Sequence, residues 1–360
     1  MTDGRKPAEP LATREVFLDT EAFQRVECDV AHPTLAALFE HINENRLRLH
    51  VTDITLREIL RHMLQMADKL VSEVGIARNR LKTWKVRVPN TLKDQKIRKD
   101  SLDAPKLANE YFSRFHATLR SHQTTEHTAA ARSAVPIFLA YFERRPPFDG
   151  KNYKEFPDAF VIDALEAWSE SEDTQMYVVT HDQAMLRAAD ASSRMLPIEN
   201  LTDLLESVTT DHAPDVEQAV EAILERPGFV SGLEAEIDEK LGDLGMTYQG
   251  DLSDGEVVGA RRNGEPENLD WTVISAGGGR FGIIVSFNIK LTADVEFEDR
   301  ELAFYDKDDD RYYGAEVAST EVESETDLNM FIEVDAAGTV IRSEMLTRDI
   351  EIIDWAENYK

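Results

Sequence analysis

Four acidic residues stand where a chain of this pattern could do chemistry. Asp19 closes the apolar run Val16-Phe17-Leu18, and Glu58 lies in Ile54-Thr55-Leu56-Arg57-Glu58-Ile59. Asp158 follows Phe156-Pro157 at the start of a helical pattern, and Asp182 ends Val178-Val179-Thr180-His181. Taken singly, each has an ordinary structural use: solvating a strand end, lining a polar helix face, or favouring a helix N-terminus. Taken together they say more. Carboxylates that converge repel one another unless a divalent cation occupies the gap. An oxygen-only donor set without His or Cys favours Mg2+ or Mn2+ over zinc.

The elements around these acids follow from periodicity. Glu15 to Thr20, a short apolar run ending in an acid, suits a buried parallel strand, and Pro33 to Glu44 a helix with Pro33 in its first turn. Leu47 to Val51 reads as a second strand, and Thr52, Asp53 or Thr55 can cap a helix reaching about Val74. Strand alternating with helix is the pattern of a doubly wound α/β layer, whose ligands gather at the carboxyl ends of its strands. From about residue 78 to 145 the rhythm breaks. This stretch reads as a helical insertion with helices at Ala104 to Arg120 and Thr125 to Glu143 and no strand. The alternation then resumes: a helix from Asp158 to Ser169, a strand from Met176 to Thr180, a helix from Gln183 to Ala191, a strand from Met195 to Ile198 and a helix from Leu201 to Ser207.

Charge divides the chain. Of the net −29, most belongs to residues 211–360, where 37 acidic residues meet 12 basic ones. The nearly neutral remainder contains a run with nine basic residues and one acid, Asp94: Arg78, Arg80, Lys82, Lys85, Arg87, Lys93, Lys96, Arg98 and Lys99. Such a run can track a phosphate backbone or serve as a solvated surface. Residues 1–14 read as a disordered polar tail without the apolar core of a signal peptide, and the longest apolar run, Ala134 to Phe142, falls short of the ~20 residues of a membrane span. Cys28 is the single cysteine, which excludes an intrachain disulfide and a multi-cysteine zinc site and sets a cytoplasmic expectation.

Residues 210–245 read as an acidic helical connector or small helical element broken at Pro227-Gly228. From Met246 to Lys360, short β-rich runs separated by Gly, Asn and Asp predict a second, antiparallel β-rich domain. Gly277, Gly279 and Gly282 have dinucleotide-fingerprint spacing but precede a strand, which points to a hairpin or bulge. Asp306, Asp308 and Asp310 imitate the start of a calcium loop, yet Arg311 and Val317 occupy the positions that need Gly and Glu.

In order and spacing, the four acidic motifs resemble the PIN domain family of metal-dependent ribonucleases. The stretch Pro146-Pro147-Phe148 through Lys154-Glu155-Phe156-Pro157-Asp158-Ala159 is similar to one of its bacterial branches, and the likeness covers roughly residues 14–205. The resemblance implies a PIN-like parallel sheet flanked by helices over residues 15–209, with Asp19, Glu58, Asp158 and Asp182 binding one or two Mg2+ or Mn2+ ions. It implies Thr20 and Thr180 as residues orienting those ligands, and RNA more than DNA as substrate, with Lys151 and Lys154 available to a substrate phosphate. One departure weakens the pattern: many members carry a second acid two residues after the last Asp, where this chain has Ala184. Two further readings stay open. Arg57 and His62 have the Arg-x4-His spacing of the metal-free HEPN ribonucleases. Alternatively the domain binds nucleic acid without cutting it, and the acidic C-terminal domain docks a protein partner or brakes the basic run.

Overall fold

The computed structural model describes residues 10–83, 103–149, 155–226, 228–300, 303–306 and 311–354. The chain forms two compact units, residues 1–211 and 212–360.

The first unit is a five-stranded parallel sheet with helices on its faces. Its strands are β1 (Glu15–Leu18), β2 (Arg48–Thr52), β3 (Thr125–His127), β4 (Met176–Val179) and β5 (Met195–Ile198), in the order β3-β2-β1-β4-β5. The helices are α1 (Thr20–Gln24), α2 (Pro33–Asn43), α3 (Asp53–Thr83), α4 (Ala104–Ser121), α5 (Ala134–Phe142), α6 (Phe156–Ser171), α7 (Gln183–Asp190) and α8 (Leu201–His212). Every residue of β1 is buried, as a central strand covered on both faces requires. Phe17 packs with Val161, Leu165, Val178 and Met185 of α6, β4 and α7, whereas Val16 and Leu18, one residue out of phase, project from the opposite face. Strand order reverses between β1 and β4. That switch point opens a crevice at the carboxyl ends of the two strands.

The reading of Thr125 to Glu143 as one helix is corrected here. Thr125–His127 is the edge strand β3, a 3-10 turn follows at Ala129–Ala131, and the helix starts only at Ala134, where the Ser133 hydroxyl accepts the Val135 N–H. Side chains from three strands tie β3 to the sheet. His50 bonds His127 through ring nitrogens 2.8 Å apart, and its other nitrogen lies 2.8 Å from the Glu15 carboxylate. Burial and the neighbouring His50 push His127 down to a pKa of about 4. A three-residue strand held by such a network leaves almost no periodicity to read. The helix begun at Asp53 also runs further than its pattern predicts, to Thr83.

The second unit is built on a four-stranded antiparallel sheet. It comprises β6 (Gly245–Gly250), β7 (Glu256–Gly277), β8 (Arg280–Asp299), β9 (Phe304–Asp306), β10 (Arg311–Tyr313), β11 (Glu316–Asp335), β12 (Val340–Met345) and β13 (Asp349–Asp354), with the large sheet ordered β12-β11-β8-β7. The runs that read as short strands are parts of 20- to 22-residue strands. Register shifts in β7 absorb the interrupting polar residues. Gly278 and Gly279, with φ of 57° and 76°, form the two-residue turn between β7 and β8, so the glycine spacing belongs to a hairpin. The acidic helices α9 (Val216–Leu224) and α10 (Phe229–Leu241) bury Val220, Ile223, Leu233 and Ile237 in the same core as Val285, Phe287 and Met330 of the sheet. Of the calcium-like acids, Asp306 ends β9, while Asp308 and Asp310 lie outside the described residues. Among the described residues no helix is long and apolar enough to cross a membrane.

Candidate active site

Asp19 leaves β1 and caps α1. Its Oδ1 accepts the Thr20 N–H at 2.6 Å and its Oδ2 accepts the Thr180 hydroxyl at 2.8 Å. The Asp19 backbone N–H reaches across the switch point to the Val179 carbonyl at 3.0 Å, which fixes the ends of β1 and β4 side by side. Thr20 donates its hydroxyl to Glu58 Oε2 at 2.7 Å and so couples the first turn of α1 to the second turn of α3. Thr180 also accepts the Asp182 N–H at 3.1 Å. Asp182 caps α7, its Oδ1 taking the N–H groups of Ala184 and Met185 at 2.7 and 2.9 Å. Asp158 sits in the first turn of α6, where Pro157 just ahead of it needs no N–H partner.

These residues meet in one open cleft of about 500 Å³, lined by Asp19, Thr20, Glu58, Asp158 and Asp182. Its electrostatics are those of acids crowded together. Burial lifts Asp19 from 3.8 to about 6, with Glu58 and Asp182 adding to the rise against the restraining hydrogen bonds from Thr180 and Thr20. Asp158 rises to about 8, through burial first, then the charge of Asp19, a side-chain hydrogen bond with Glu155, and the charges of Asp182 and Glu58. Among the described residues, no three acid, histidine or cysteine side chains are drawn close enough to grip a metal ion between them. The donor set nonetheless fits a hard divalent cation. All four groups offer carboxylate oxygen, and the charge that lifts Asp19 and Asp158 is what such a cation would neutralise.

The sequence missed Glu21, Gln24, Arg61 and Gln65 as members of the lining, and offered His62, which also lines it, only through its spacing from Arg57. Their signal was helical spacing. Glu58, Arg61, His62 and Gln65 recur three and four residues apart and share one side of α3. Asp163, one helical turn and more beyond Asp158, pairs instead with Arg132. Arg78, Arg80 and Lys82 fall in the last turns of α3, while Lys85, Arg87, Lys93, Lys96, Arg98 and Lys99, and with them Lys151 and Lys154, lie outside the described residues.

Searches of curated proteins and of solved structures return no match to this chain. A family model described as PIN domain matches residues 16–185, from the second residue of β1 into α7 and across all four acids. With the parallel sheet and the shared cleft, the N-terminal unit is similar over this stretch to the PIN domain family, whose members are generally nucleases and commonly depend on divalent metals.

Proposed function

We propose that the N-terminal unit is an endoribonuclease that hydrolyses phosphodiester bonds with Mg2+ or Mn2+ held by Asp19, Asp158 and Asp182, and with Glu58 as a further ligand or water-positioning group. The observation that carries this reading is the convergence of four carboxylates, from four separate elements, in one open cleft at the switch point. A divalent ion bound there supplies a water of lowered pKa and polarises the scissile phosphate. The chain's own part is positioning. Thr180 holds Asp19 through Oδ2 and Thr20 holds Glu58 through Oε2, so the carboxylates of a strand end and of α3 keep fixed orientations. The helix amides occupy Asp182 Oδ1, which leaves Oδ2 as the oxygen outside the cap. Substrate backbone is gripped by the basic run Arg78 to Lys99, with Lys151 and Lys154 near Asp158 in sequence.

The test is cleavage of single-stranded RNA and DNA with Mg2+ or Mn2+. RNA cleavage that stops with EDTA and with Asp158→Asn supports the reading; cleavage that survives both refutes it. Ala184 motivates a second reading, a PIN domain that binds nucleic acid in a regulatory role without cutting, since the position offers a backbone N–H to Asp182 in place of a carboxylate. Steeply salt-dependent RNA binding with no cleavage under either metal favours it. In that reading the acidic second unit is the docking module for a basic partner.

A further inference from the structure

Beside the acidic cleft, and sharing Glu58 and Arg61 with it, lies a second pocket of about 450 Å³ with a different character. Its walls are Ile54, Phe156, Pro157 and Phe160, and Arg57 and Arg61 stand at its rim. The Phe156 ring is held in place from behind, with centroids 4.9 Å from Phe148 and 5.2 Å from Tyr141. One helical turn thus supplies both the apolar wall, through Phe156 and Pro157, and the acid of the cleft, Asp158.

Arg57 and Arg61 are one turn apart on α3, both exposed, and neither has an acidic partner among the described residues. Other arginines of the same unit are committed to acids: Arg25 pairs with Glu21, Arg132 with Asp163 and Arg187 with Asp149. Two guanidinium groups without an acidic partner among the described residues, lining an aromatic pocket continuous with carboxylates suited to a metal-bound phosphate, form a composite surface. A single-stranded nucleotide is its chemical complement. Every base has a face that stacks on Phe or on a guanidinium plane, and every phosphate accepts Arg hydrogen bonds.

We propose that this pocket is a base-binding subsite, taking the nucleobase next to the scissile phosphate of a single-stranded RNA, with Arg57 and Arg61 on the flanking phosphates. The subsite rests on the nuclease reading of the acidic cleft, and it makes the enzyme require an unpaired base at that position. Double-stranded RNA, whose bases remain stacked, is excluded from it.

The experiment uses the full-length chain carrying Asp182→Asn, with Mg2+, and a short single-stranded RNA in which one 2-aminopurine, or one abasic nucleotide, is moved along the strand. Stacking in the pocket quenches 2-aminopurine at one position, and the abasic substitution at that position weakens binding roughly five- to hundredfold. Phe160→Leu abolishes the quench and leaves the salt dependence unchanged, whereas Arg61→Gln lowers the slope of log affinity against log salt by about 0.7. Should Phe160→Leu unfold the protein, the abasic and 2-aminopurine series still decide the matter in the protein with the pocket intact. If RNA is bound with no position sensitive to base removal, the subsite is overturned, and the nuclease reading stands as long as the unsubstituted chain cuts that RNA. If the unsubstituted chain neither binds nor cuts RNA, both fall.

Discussion

Asp19 and Asp335 are both aspartates at turns whose carboxylates accept backbone N–H groups, Asp19 from Thr20 and Asp335 from Thr339 at 2.8 Å. Their acidities move in opposite directions. The turn amides, led by that of Thr339, hold Asp335 below the ordinary value, while burial beside other acids carries Asp19 up to about 6. The contrast holds for the two units. In the second, Glu321, Glu323, Glu325 and Asp327 sit exposed along β11 while Val322 and Leu328 turn inward, so that acid is spread over a solvated face. In the first, four acids share one cleft, and two of them, half-buried beside one another, are raised in pKa. Abundance of acid therefore marks no site here; desolvation and convergence do.

The sharpest break of this contrast is Asp158→Asn. Cleavage is expected to fall by about a hundredfold or more, beyond what loss of a supporting group costs, while the Tm measured in EDTA at pH 8 rises by a few degrees because a buried repulsive charge is gone. A fall in that Tm would contradict the electrostatic account.

Next in size is a pH effect. Both raised carboxyls lie above their ordinary 3.8, so the stabilisation of the protonated forms is complete below about pH 4 and is lost as pH climbs through about 6 for Asp19 and about 8 for Asp158. The metal-free protein should lose stability across that interval, and Mg2+ affinity should rise by up to roughly tenfold per pH unit for each proton released. Calorimetric titration at pH 6, 7 and 8 in buffers of different ionisation enthalpy counts those protons; an affinity independent of pH would rule the coupling out.

Thr180→Val comes third. It removes the hydroxyl that orients Asp19 and accepts the Asp182 N–H, and Mn2+ affinity should drop roughly ten- to hundredfold with little change in far-UV circular dichroism. The smallest effect belongs to the other unit: Asp335→Asn should move Tm by no more than about two degrees and leave cleavage unaltered. If it lowered cleavage as Thr180→Val does, the separation of roles between the acidic populations would fail.

Legibility differed from element to element for physical reasons. β1, β4 and α6 could be read because buried strands are continuous apolar runs and because Pro157 marks a helix start. β3 could not, since three residues carry no period and what holds them is the Glu15, His50 and His127 chain contributed by three distant segments. The long strands of the second unit looked short because exposed Asn, Gly and Asp residues imitate turns, and only pairing with the adjacent strand shows that the backbone passes through them as bulges. The stretch holding α9 and α10 reads as a connector or a small helical element because acids dominate its composition, while a few apolar positions anchor the two helices in the sheet's core.

By itself the sequence determined the order of the acids and their places at strand ends and helix starts, because local sterics, capping and apolar runs are properties of neighbouring residues. The tertiary structure alone decided that Asp19 and Asp182 flank the point where strand order reverses, that Thr20 ties α1 to α3 and Thr180 the end of β4 to that of β1, and that Arg57 and Arg61 have no described acidic partner beside Phe156 and Phe160. Those facts join residues up to 161 positions apart. Burial, repulsion and the acidity they impose exist only once the chain has brought such residues together.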